Sequence, residues 1–439
     1  MLFAGFIHAI GGGPTSCRIG DRARILRLPT RDALQPRDPM TRTIPAPAMI
    51  AVLLGGLAGL APFALDTYLP AFPEIAASLG SGSATVQQSL TSYLAPYTVM
   101  MLVHGPISDR YGRRASIIGA LLLFCAGSLG CATAQSIESF LGWRMVQGLS
   151  VGATTVVGRA LIRDLFEGPA AQRQFARVNL AFTLAPVVAP ILGGYLLTSA
   201  GWRSIFWFLL AYPLALLAAT WRWLPETLPS QGRRPLQAAR IVGNLATFAR
   251  SPRFSTLAWM AGASFCGFFA YILAAPSFVR DVLELAPTQF GWLFIATASG
   301  TMLGSWWASS RAGTKAPSAT IRLGLCLSAA AALANVGYHA MSTPAVPWSV
   351  LPLTLYCLGF ALILPSATLL MLDTSPLPRG ATSSLQSCAQ IGCATLTSAL
   401  IVPWVARSAL LLSLAMLGWW AVAALSWLVC QRLAPTSPR

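Results

Sequence analysis

Twelve stretches of mostly apolar residues recur along the chain, separated by short polar segments. Each stretch has about 20 residues or more, and an α-helix of that length crosses the hydrocarbon core of a bilayer, which is about 30 Å thick. The pattern therefore predicts an all-α integral membrane protein with twelve transmembrane helices. The predicted helices cover residues 46–69, 86–106, 115–135, 139–162, 173–199, 203–223, 255–278, 288–310, 320–340, 347–371, 382–403 and 407–430.

The basic residues divide unequally between the two sides of such a membrane. Cytoplasmic segments collect Arg and Lys because these residues resist translocation. With the N-terminus inside, 25 of the 30 Arg and Lys fall in cytoplasmic segments, against three outside and two within helices. A miscounted helix would scramble this distribution. We therefore expect a multi-pass membrane protein with both termini in the cytoplasm.

The longest internal polar segment divides the predicted helices six and six. It covers residues 224–254, is basic and contains four prolines. Two six-helix bundles joined in this way are typical of transporters whose substrate path runs between the bundles. The predicted domains are a basic, disordered N-terminal extension (1–45), a first bundle (46–223), a cytoplasmic linker (224–254), a second bundle (255–430) and a cytoplasmic tail (431–439).

The composition agrees with this class and excludes others. Apolar residues make up 55% of the chain and charged residues only 10%, whereas soluble domains carry about 25% charged residues. The net charge of +17 comes from the segments between helices, so we do not expect a nucleic-acid partner. The nine Cys are scattered and the three His are far apart, so we expect no metal site, disulfide framework or cofactor.

The first 45 residues differ from the rest of the chain. They carry seven Arg among Gly, Pro and Thr and show no helical period. No basic residue precedes the apolar part of Met1–Gly13, so a cleaved signal peptide is not expected. Because Met40 stands just before the first apolar stretch, we hypothesise that residues 1–39 are a misassigned or dispensable extension. Mass spectrometry that finds a mature N-terminus upstream of Met40 in cells would contradict this.

The segment His104–Arg114, between predicted helices 2 and 3, has the sequence HGPISDRYGRR. Its glycines permit a tight turn, and its aspartate stands among three arginines, where charge bias alone would not require an acid. The alternative is a solvated loop that only follows the charge bias. The segment resembles the signature G-x-L-[SA]-D-R-x-G-R-[RK] of the major facilitator superfamily, with Pro-Ile in place of x-Leu. The resemblance implies a gate. In that gate the aspartate interacts with the positive end of a helix in the opposite bundle, and an arginine pairs with an acid at the end of helix 4. The implied gating residues are Gly105, Asp109, Arg110, Gly112, Arg113 and Asp164.

Asp66 is the acidic residue that the pattern places inside a predicted helix, whereas the other twelve fall in loops or at helix ends. A charged side chain within a membrane costs about 2.5–3.5 kcal/mol on insertion scales and marks function by default. A carboxyl group removed from water also holds its proton more readily. Asp66 is therefore the candidate proton carrier. The alternative is an interfacial carboxylate that reaches the water outside.

Arg144 begins the run Arg-Met-Val-Gln-Gly in predicted helix 4. The run resembles the R-x-x-Q-G element of the same superfamily, whose arginine is linked to proton transfer. The alternative is an arginine that snorkels to the membrane interface. Arg159, near the other end of this helix, is expected to anchor the cytoplasmic end.

Predicted helix 5 contains Ala185–Gly194, with the sequence APVVAPILGG. Two prolines remove backbone donors and two glycines allow close packing, so the run predicts a tightly packed bend. It resembles the antiporter motif G-P-x-x-G-G of exporters, although Ala189 replaces the motif's glycine; the alternative is an ordinary kinked helix. The motif residues are Pro186, Pro190, Gly193 and Gly194.

Together these runs resemble the Bcr/CflA (bicyclomycin and chloramphenicol resistance) family of bacterial drug exporters, from about residue 46 to about residue 430. The resemblance implies a monomeric secondary active transporter, not an enzyme, that exchanges small amphipathic antibiotics for protons. The alternatives are a narrow chloramphenicol-type exporter, a metabolite uptake permease and a sensor that binds without transport. Further runs that carry the resemblance are Asp66–Pro73, Arg159–Asp164, Gly201–Phe206, Leu224–Leu228, Ala270–Val279, Phe290–Phe294 and Arg379–Ser384.

Aromatic and amide side chains within the predicted helices are the candidates for the substrate cavity, because they suit apolar and weakly polar drugs. These candidates are Tyr68, Tyr93, Tyr97, Gln147, Tyr271 and Gln386. The expected partners are the drug and the lipid bilayer, with the proton as coupling ion.

Overall fold

The computed structural model describes residues 47–229, 233, 235, 237–311 and 313–433, which belong to one compact unit. Within these ranges the chain forms helices and turns and contains no β-strand. The predicted extension at residues 1–45, the hypothesised start at Met40 and the tail from residue 434 lie outside the described residues.

Twelve long helices follow one another along this part of the chain. Those of the first half are α1 (Pro47–Asp66), α2 (Ser83–Tyr111), α3 (Arg113–Thr133), α4 (Ile137–Leu165), α5 (Gly168–Ala200) and α6 (Trp202–Trp223). Those of the second half are α7 (Pro252–Leu273), α8 (Gly291–Arg311), α9 (Pro317–Met341), α10 (Leu351–Thr374), α11 (Arg379–Leu396) and α12 (Ala409–Arg432). Short helical turns follow α1 at Leu69–Ala71 and Phe72–Ser78, and α11 continues through Thr397–Ile401 to Val402–Val405.

Each predicted helix coincides with one of these twelve, and the predicted all-α membrane fold is confirmed. Ten of the described helical segments are long and apolar enough to cross a membrane. The other two long helices are less apolar: α2 carries Gln, Ser, Thr and Tyr, and α8 is rich in Gly, Ser and Trp. Both have the length of a spanning helix, with 29 and 21 residues. Their polar and small residues suit the contacts that each makes with the opposite bundle, α2 with α11 and α8 with α5.

The helix contacts repeat from one half to the other. In the first half α1 packs on α4 and α5, α2 on α4, and α3 on α4 and α6. In the second half the equivalent pairs are α7 with α10 and α11, α8 with α10, and α9 with α10 and α12. The two bundles meet where α2 packs on α11 and α5 packs on α8. This pattern is that of two repeated bundles facing each other across an interface.

The two ends of this structure differ in charge. The basic end carries the turn at Gly112, the segments 166–167, 224–229, 237–251, 313–316 and 375–378, and the end of α12. The opposite end carries the segments 67–82, 134–136, 274–290, 342–350 and 406–408, with the turn at Gly201. Basic residues concentrate at the first of these ends, which the sequence predicts to be cytoplasmic.

A helix not foreseen in the sequence lies in the predicted linker at the basic end. It runs over Ala238–Arg250 and is called the linker helix below. Ile241 and Asn244 face the space between the bundles, whereas Val242 is 64% exposed. Phe248 packs edge-on against Phe254 of α7 at 5.1 Å, which fixes the linker helix to the second bundle.

Large apolar side chains also cover the outer surface of the bundles. Trp306, Tyr195, Leu303 and Leu425 are each more than half exposed. A water-soluble monomer rarely carries so much exposed apolar surface. These side chains therefore lie where lipid would contact a membrane protein.

Candidate functional site

Asp66 is the last residue of α1 and is only 3% exposed. Thr67, directly after the helix, bonds its hydroxyl to the Phe63 carbonyl at 2.7 Å, and Pro70, which lacks an N–H, opens the next helical turn. The Oδ1 atom of Asp66 has no hydrogen-bond partner among the described residues. Asp66 lines a cavity of about 190 Å3 between the two bundles, called the central cavity. The carboxyl group is thus buried and directed to the interface between the bundles, not to the water outside.

The central cavity has a polar wall and an aromatic wall. From the first bundle Asp66, Tyr93, Tyr97 and Pro186 reach it. From the second bundle comes a cluster of phenylalanines, in which the Phe265 and Phe269 rings stack at 4.5 Å. The cluster, called the phenylalanine cluster, consists of Phe265, Phe268, Phe269, Phe294 and Phe360.

The sequence interpretation missed the phenylalanine cluster. A signal was present, since Phe265, Phe268 and Phe269 are spaced so that they share one face of α7. That spacing does not distinguish a face toward the central cavity from a face toward lipid, because both faces are apolar.

Arg144 lies fully buried within the first bundle, beside the last turn of α1. Its guanidinium group is 4.4 Å from the ring centre of Tyr68 and 4.5 Å from that of Tyr93, so the cation is held between two aromatic faces. It donates hydrogen bonds to the Ala64 carbonyl at 3.1 Å and to Oε1 of Gln147 at 2.5 Å. Arg144 therefore contacts the turn that carries Asp66, without an ion pair between the two among the described residues.

Further polar residues support this arginine. Gln147 accepts from Arg144 and donates through Nε2 to the Ser128 hydroxyl at 2.8 Å. The Tyr68 hydroxyl pairs with that of Ser89 at 2.9 Å. The result is a connected polar core inside an apolar bundle, in which α1, α2, α3 and α4 each contribute a residue.

A second polar network lies at the basic end, around Arg113. Its guanidinium group donates to Oδ1 of Asp109 at 2.7 Å, to Oδ2 of Asp164 at 3.2 Å and to the Ser108 hydroxyl. Arg110 is exposed. The sequence interpretation treated residues 104–114 as a loop, but α2 continues to Tyr111, so Gly112 is the residue between the two helices. Gly105 is therefore helical and does not form a turn.

Glu226, from the chain that follows α6, completes this network. Its carboxylate accepts from the backbone N–H groups of Arg113 at 2.8 Å and Arg114 at 3.3 Å, and so caps the N-terminus of α3. Thr227 donates its hydroxyl to Oδ2 of Asp164 at 3.0 Å. The sequence interpretation used these residues only as part of a resemblance, and it assigned them no contact.

Gly112 allows this approach. Its φ is +97°, and a Cβ atom there would lie 2.3 Å from Oε2 of Glu226. A side chain would therefore meet both backbone strain and the capping carboxylate.

The bundles separate at the basic end around a second cavity, of about 340 Å3, called the basic-end cavity. Asp109 lines it from α2, and Pro378, Gly380 and Ala381 line it from the start of α11. The linker helix contributes Arg240 and Ile241 to the same wall.

At the opposite end the two bundles are packed together. A Cβ atom on Gly194 of α5 would lie 2.6 Å from the Pro287 carbonyl of the second bundle. A Cβ atom on the adjacent Gly193 would lie 1.7 Å from the carbonyl of Thr67, which directly follows α1. Hydroxyl pairs also join α2 to the α11 segment, at 2.8 Å between Thr91 and Ser398 and at 2.9 Å between Thr98 and Thr395. The interface is closed at this end.

Comparison with known proteins identifies this architecture. The model of a family described as Major Facilitator Superfamily matches residues 54–397. The chain belongs to the major facilitator superfamily. Members of this family are multi-pass membrane transporters.

Two relatives show which branch of the superfamily the chain resembles. The chain is 32% identical over 275 residues to the bicyclomycin resistance protein homolog of Haemophilus influenzae, across 62% of this chain and 69% of that protein. It is 32% identical over 252 residues to the chloramphenicol resistance protein of Pseudomonas aeruginosa, across 57% of this chain and 59% of that protein. The matched stretches thus span about two thirds of these relatives or less. The relatives support the drug-efflux branch of the superfamily, in agreement with the motif resemblance.

The human organic anion transporter MFSD10 (TETRAN) shares the fold, with a TM-score of 0.62, 19% identity and coverage of 88% of this chain and 100% of that one.

The structure places two of the six predicted cavity residues in the central cavity. Tyr93 and Tyr97 line the central cavity, as expected for substrate contacts. The other four make polar contacts within a bundle: Tyr68 and Gln147 surround Arg144, Tyr271 accepts a hydrogen bond from Asn335 at 2.7 Å, and Gln386 donates to Thr368 at 2.7 Å. Amide and hydroxyl groups inside a bundle bond to one another because lipid and apolar neighbours offer no partner.

The predicted motif on helix 5 is divided between two contacts in this facilitator. Pro186 lines the central cavity and Pro190 is buried, whereas Gly193 and Gly194 form the packed contacts at the opposite end. The implied contact of Asp109 with a helix start in the second bundle is replaced here by its ion pair with Arg113, and the start of α11 lies across the basic-end cavity.

Proposed function

We propose that the protein is a proton-coupled exporter of small amphipathic antibiotics that exchanges drug for protons. The observation that carries the proposal is the position of Asp66, a buried carboxyl group with an unpartnered oxygen that faces the cavity between the bundles. A proton carrier in a transporter needs such a position, because it must gain and lose its proton beside the substrate path.

The walls of the central cavity support a drug as the substrate. The phenylalanine cluster offers aromatic faces to an apolar ligand, and Tyr93, Tyr97 and Asp66 offer a few polar groups. Pockets that bind drug-sized molecules have this mixture of apolar lining and few polar groups. Because Asp66 lines the same cavity, drug occupancy and protonation would compete there.

The difference between the two ends of the interface supports coupled exchange, because one end is closed and the other is open. The opposite end is packed through Gly194, while the basic-end cavity separates Asp109 from the start of α11. We propose that Asp109 and Arg113 control closure of the basic end and that Arg144 couples this change to Asp66. We further propose a monomer in the bacterial inner membrane with the basic end in the cytoplasm.

The decisive experiment is Asp66→Asn in proteoliposomes with an imposed pH gradient and radiolabelled chloramphenicol as the probe. We expect gradient-driven drug movement to fall to the level of empty liposomes, because an amide cannot exchange a proton. Drug binding without a gradient is expected to remain. The matched control is Asp281→Asn, the same change at an exposed residue of the opposite end, which is expected to transport normally.

Undiminished gradient-driven transport by Asp66→Asn would refute the assignment. The direction is tested with inverted and right-side-out vesicles. Accumulation in inverted vesicles supports export, whereas accumulation in right-side-out vesicles would favour the uptake permease.

A further inference from the structure

The basic-end cavity has an unbalanced charge. Four arginines line it, namely Arg113 from the start of α3, Arg159 and Arg163 from α4, and Arg240 from the linker helix. Asp109 is the acidic residue among its lining residues. The cavity therefore carries an excess of positive charge inside the protein, between the two bundles.

The hydrogen-bond partners show which of these charges are compensated. Arg113 uses Asp109, Asp164 and the Ser108 hydroxyl. Arg159, Arg163 and Arg240 make no ion pair or hydrogen bond with any described residue. All three are exposed to solvent-accessible space, so their guanidinium groups are free to bind a ligand.

The two arginines of α4 are placed to act together. Arg159 and Arg163 are four residues apart, so their side chains lie on the same helix face about 5–6 Å apart at Cβ. Like charges in this arrangement repel each other, and an anion bound between them removes the repulsion. Arg159 was expected to anchor the cytoplasmic end of the helix, and at that end it lines the basic-end cavity.

We propose that the basic-end cavity binds an oxyanion, namely the carboxylate, phosphate or sulfonate group of an amphipathic molecule. Guanidinium forks match the geometry of such groups and hold them with charge-assisted hydrogen bonds. Arg159 and Arg163 form one side of the site, and Arg240 approaches from the linker helix. Met101, Leu102 and Val156 line the same cavity and provide an apolar wall for the tail. The volume of about 340 Å3 lies within the range of small-molecule sites.

This site does not depend on proton coupling or on drug export, because it rests on a different cavity and on arginines that do not contact Asp66. The oxyanion could belong to the headgroup of an anionic membrane lipid or to a water-soluble organic anion. Both sources share the chemistry that the arginines recognise.

The test uses the full-length protein in nanodiscs of phosphatidylcholine, with radiolabelled octyl phosphate as the probe and octyltrimethylammonium as its cationic counterpart. Binding to empty nanodiscs is subtracted. We expect the wild type to bind octyl phosphate and not the ammonium compound, and to lose binding in 0.5 M salt (on the order of a 4–5 Å screening length). The double variant Arg159→Gln/Arg163→Gln is expected to bind octyl phosphate about tenfold more weakly or worse.

Two further variants separate binding from folding. Arg159→Lys/Arg163→Lys keeps both charges and is expected to retain most of the binding, with a wild-type elution profile and thermal midpoint. Arg322→Gln removes an exposed arginine outside the cavity and should leave binding unchanged. Wild-type affinity in the glutamine double variant, or equal binding of the two probes by the wild type, would overturn the proposal.

Native mass spectrometry of protein purified from cells distinguishes the two sources. A lipid occupant predicts that the wild type retains one more phosphatidylglycerol than the glutamine double variant. Equal lipid retention, combined with the expected octyl phosphate binding, identifies a water-soluble anion. Equal retention with no octyl phosphate binding overturns the site.

Discussion

Arg144 is a buried cation whose partners are aromatic rings, a carbonyl and an amide rather than a carboxylate. Arg144 reaches the last turn of α1 through the Ala64 carbonyl, and the coupling of this cation to Asp66 on the same turn is our proposal. A guanidinium group fits between two rings because it is planar and weakly hydrated, and an ammonium group is neither.

The residue-scale prediction is that Arg144→Lys uncouples transport from the proton gradient. We expect gradient-driven drug transport to fall by about tenfold or more, since the loss of stacking and of one hydrogen bond is worth about 1–3 kcal/mol. Drug binding at equilibrium should change by less than about threefold, because Arg144 does not line the central cavity. Both are measured in the same proteoliposomes, with Arg222→Lys at an exposed position as the control. A parallel loss of binding and transport would contradict the coupling role.

At the scale of elements, the turn between α2 and α3 depends on two residues far apart in the chain. Gly112 supplies the φ of +97°, and Glu226 accepts from the first N–H groups of α3. The carboxylate also interacts favourably with the positive end of the helix dipole.

The element-scale prediction concerns stability. We expect Gly112→Ala to destabilise the protein by about 1–3 kcal/mol through backbone strain and the clash with Glu226. Glu226→Gln keeps the shape but loses the charge, so a smaller loss of about 0.5–1 kcal/mol is expected. Thermal unfolding in detergent measures both. Gly119→Ala, within α3 and with open space where its Cβ would lie, should melt at the wild-type temperature or above it. Equal midpoints for Gly112→Ala and Gly119→Ala would show that the turn tolerates a side chain.

At the scale of the whole molecule, the two bundles are equivalent in architecture but not in chemistry. Leu69-Pro-Ala-Phe72 follows α1 and Ala275-Pro-Ser-Phe278 follows α7, which aligns Asp66 with Ile272. Both of these residues line the central cavity. The carboxyl group therefore stands on one side of a pseudo-symmetric cavity, opposite an apolar residue, so one bundle would sense protons and the other would bind the apolar part of a substrate.

The whole-molecule prediction concerns the closed opposite end. We expect Gly194→Leu to separate the bundles there, because the added side chain overlaps the Pro287 carbonyl. A clash of about 1–3 kcal/mol shifts the ratio of the two conformations by about tenfold or more. Hydrogen–deuterium exchange should become faster over residues 283–290 and slower over residues 378–390, as the basic end closes. Gly142→Leu, at a position open to the surroundings, is the control. Unchanged exchange at both ends in Gly194→Leu would contradict the proposal that the basic end closes when the opposite end opens.

Much of this architecture follows from local sequence. The twelve helices could be predicted because the length of an apolar run and the charge of the segments beside it are properties of the chain alone. The same holds for Asp66 and Arg144, which stand out because a charge inside an apolar run is costly wherever the helix packs. Gly112 could be assigned to a turn because glycine permits the backbone conformations that a tight turn requires.

Contacts between distant residues could only come from the tertiary structure. The ion pair of Arg113 with Asp164, the cap that Glu226 provides and the pairing of Thr91 with Ser398 join residues from 51 to 307 positions apart. A membrane helix is apolar on the face toward lipid and on the face toward its bundle, so its periodicity does not reveal which face is inside. For this reason the phenylalanine cluster was missed, and the cavity that Arg159 lines at the basic end was not foreseen.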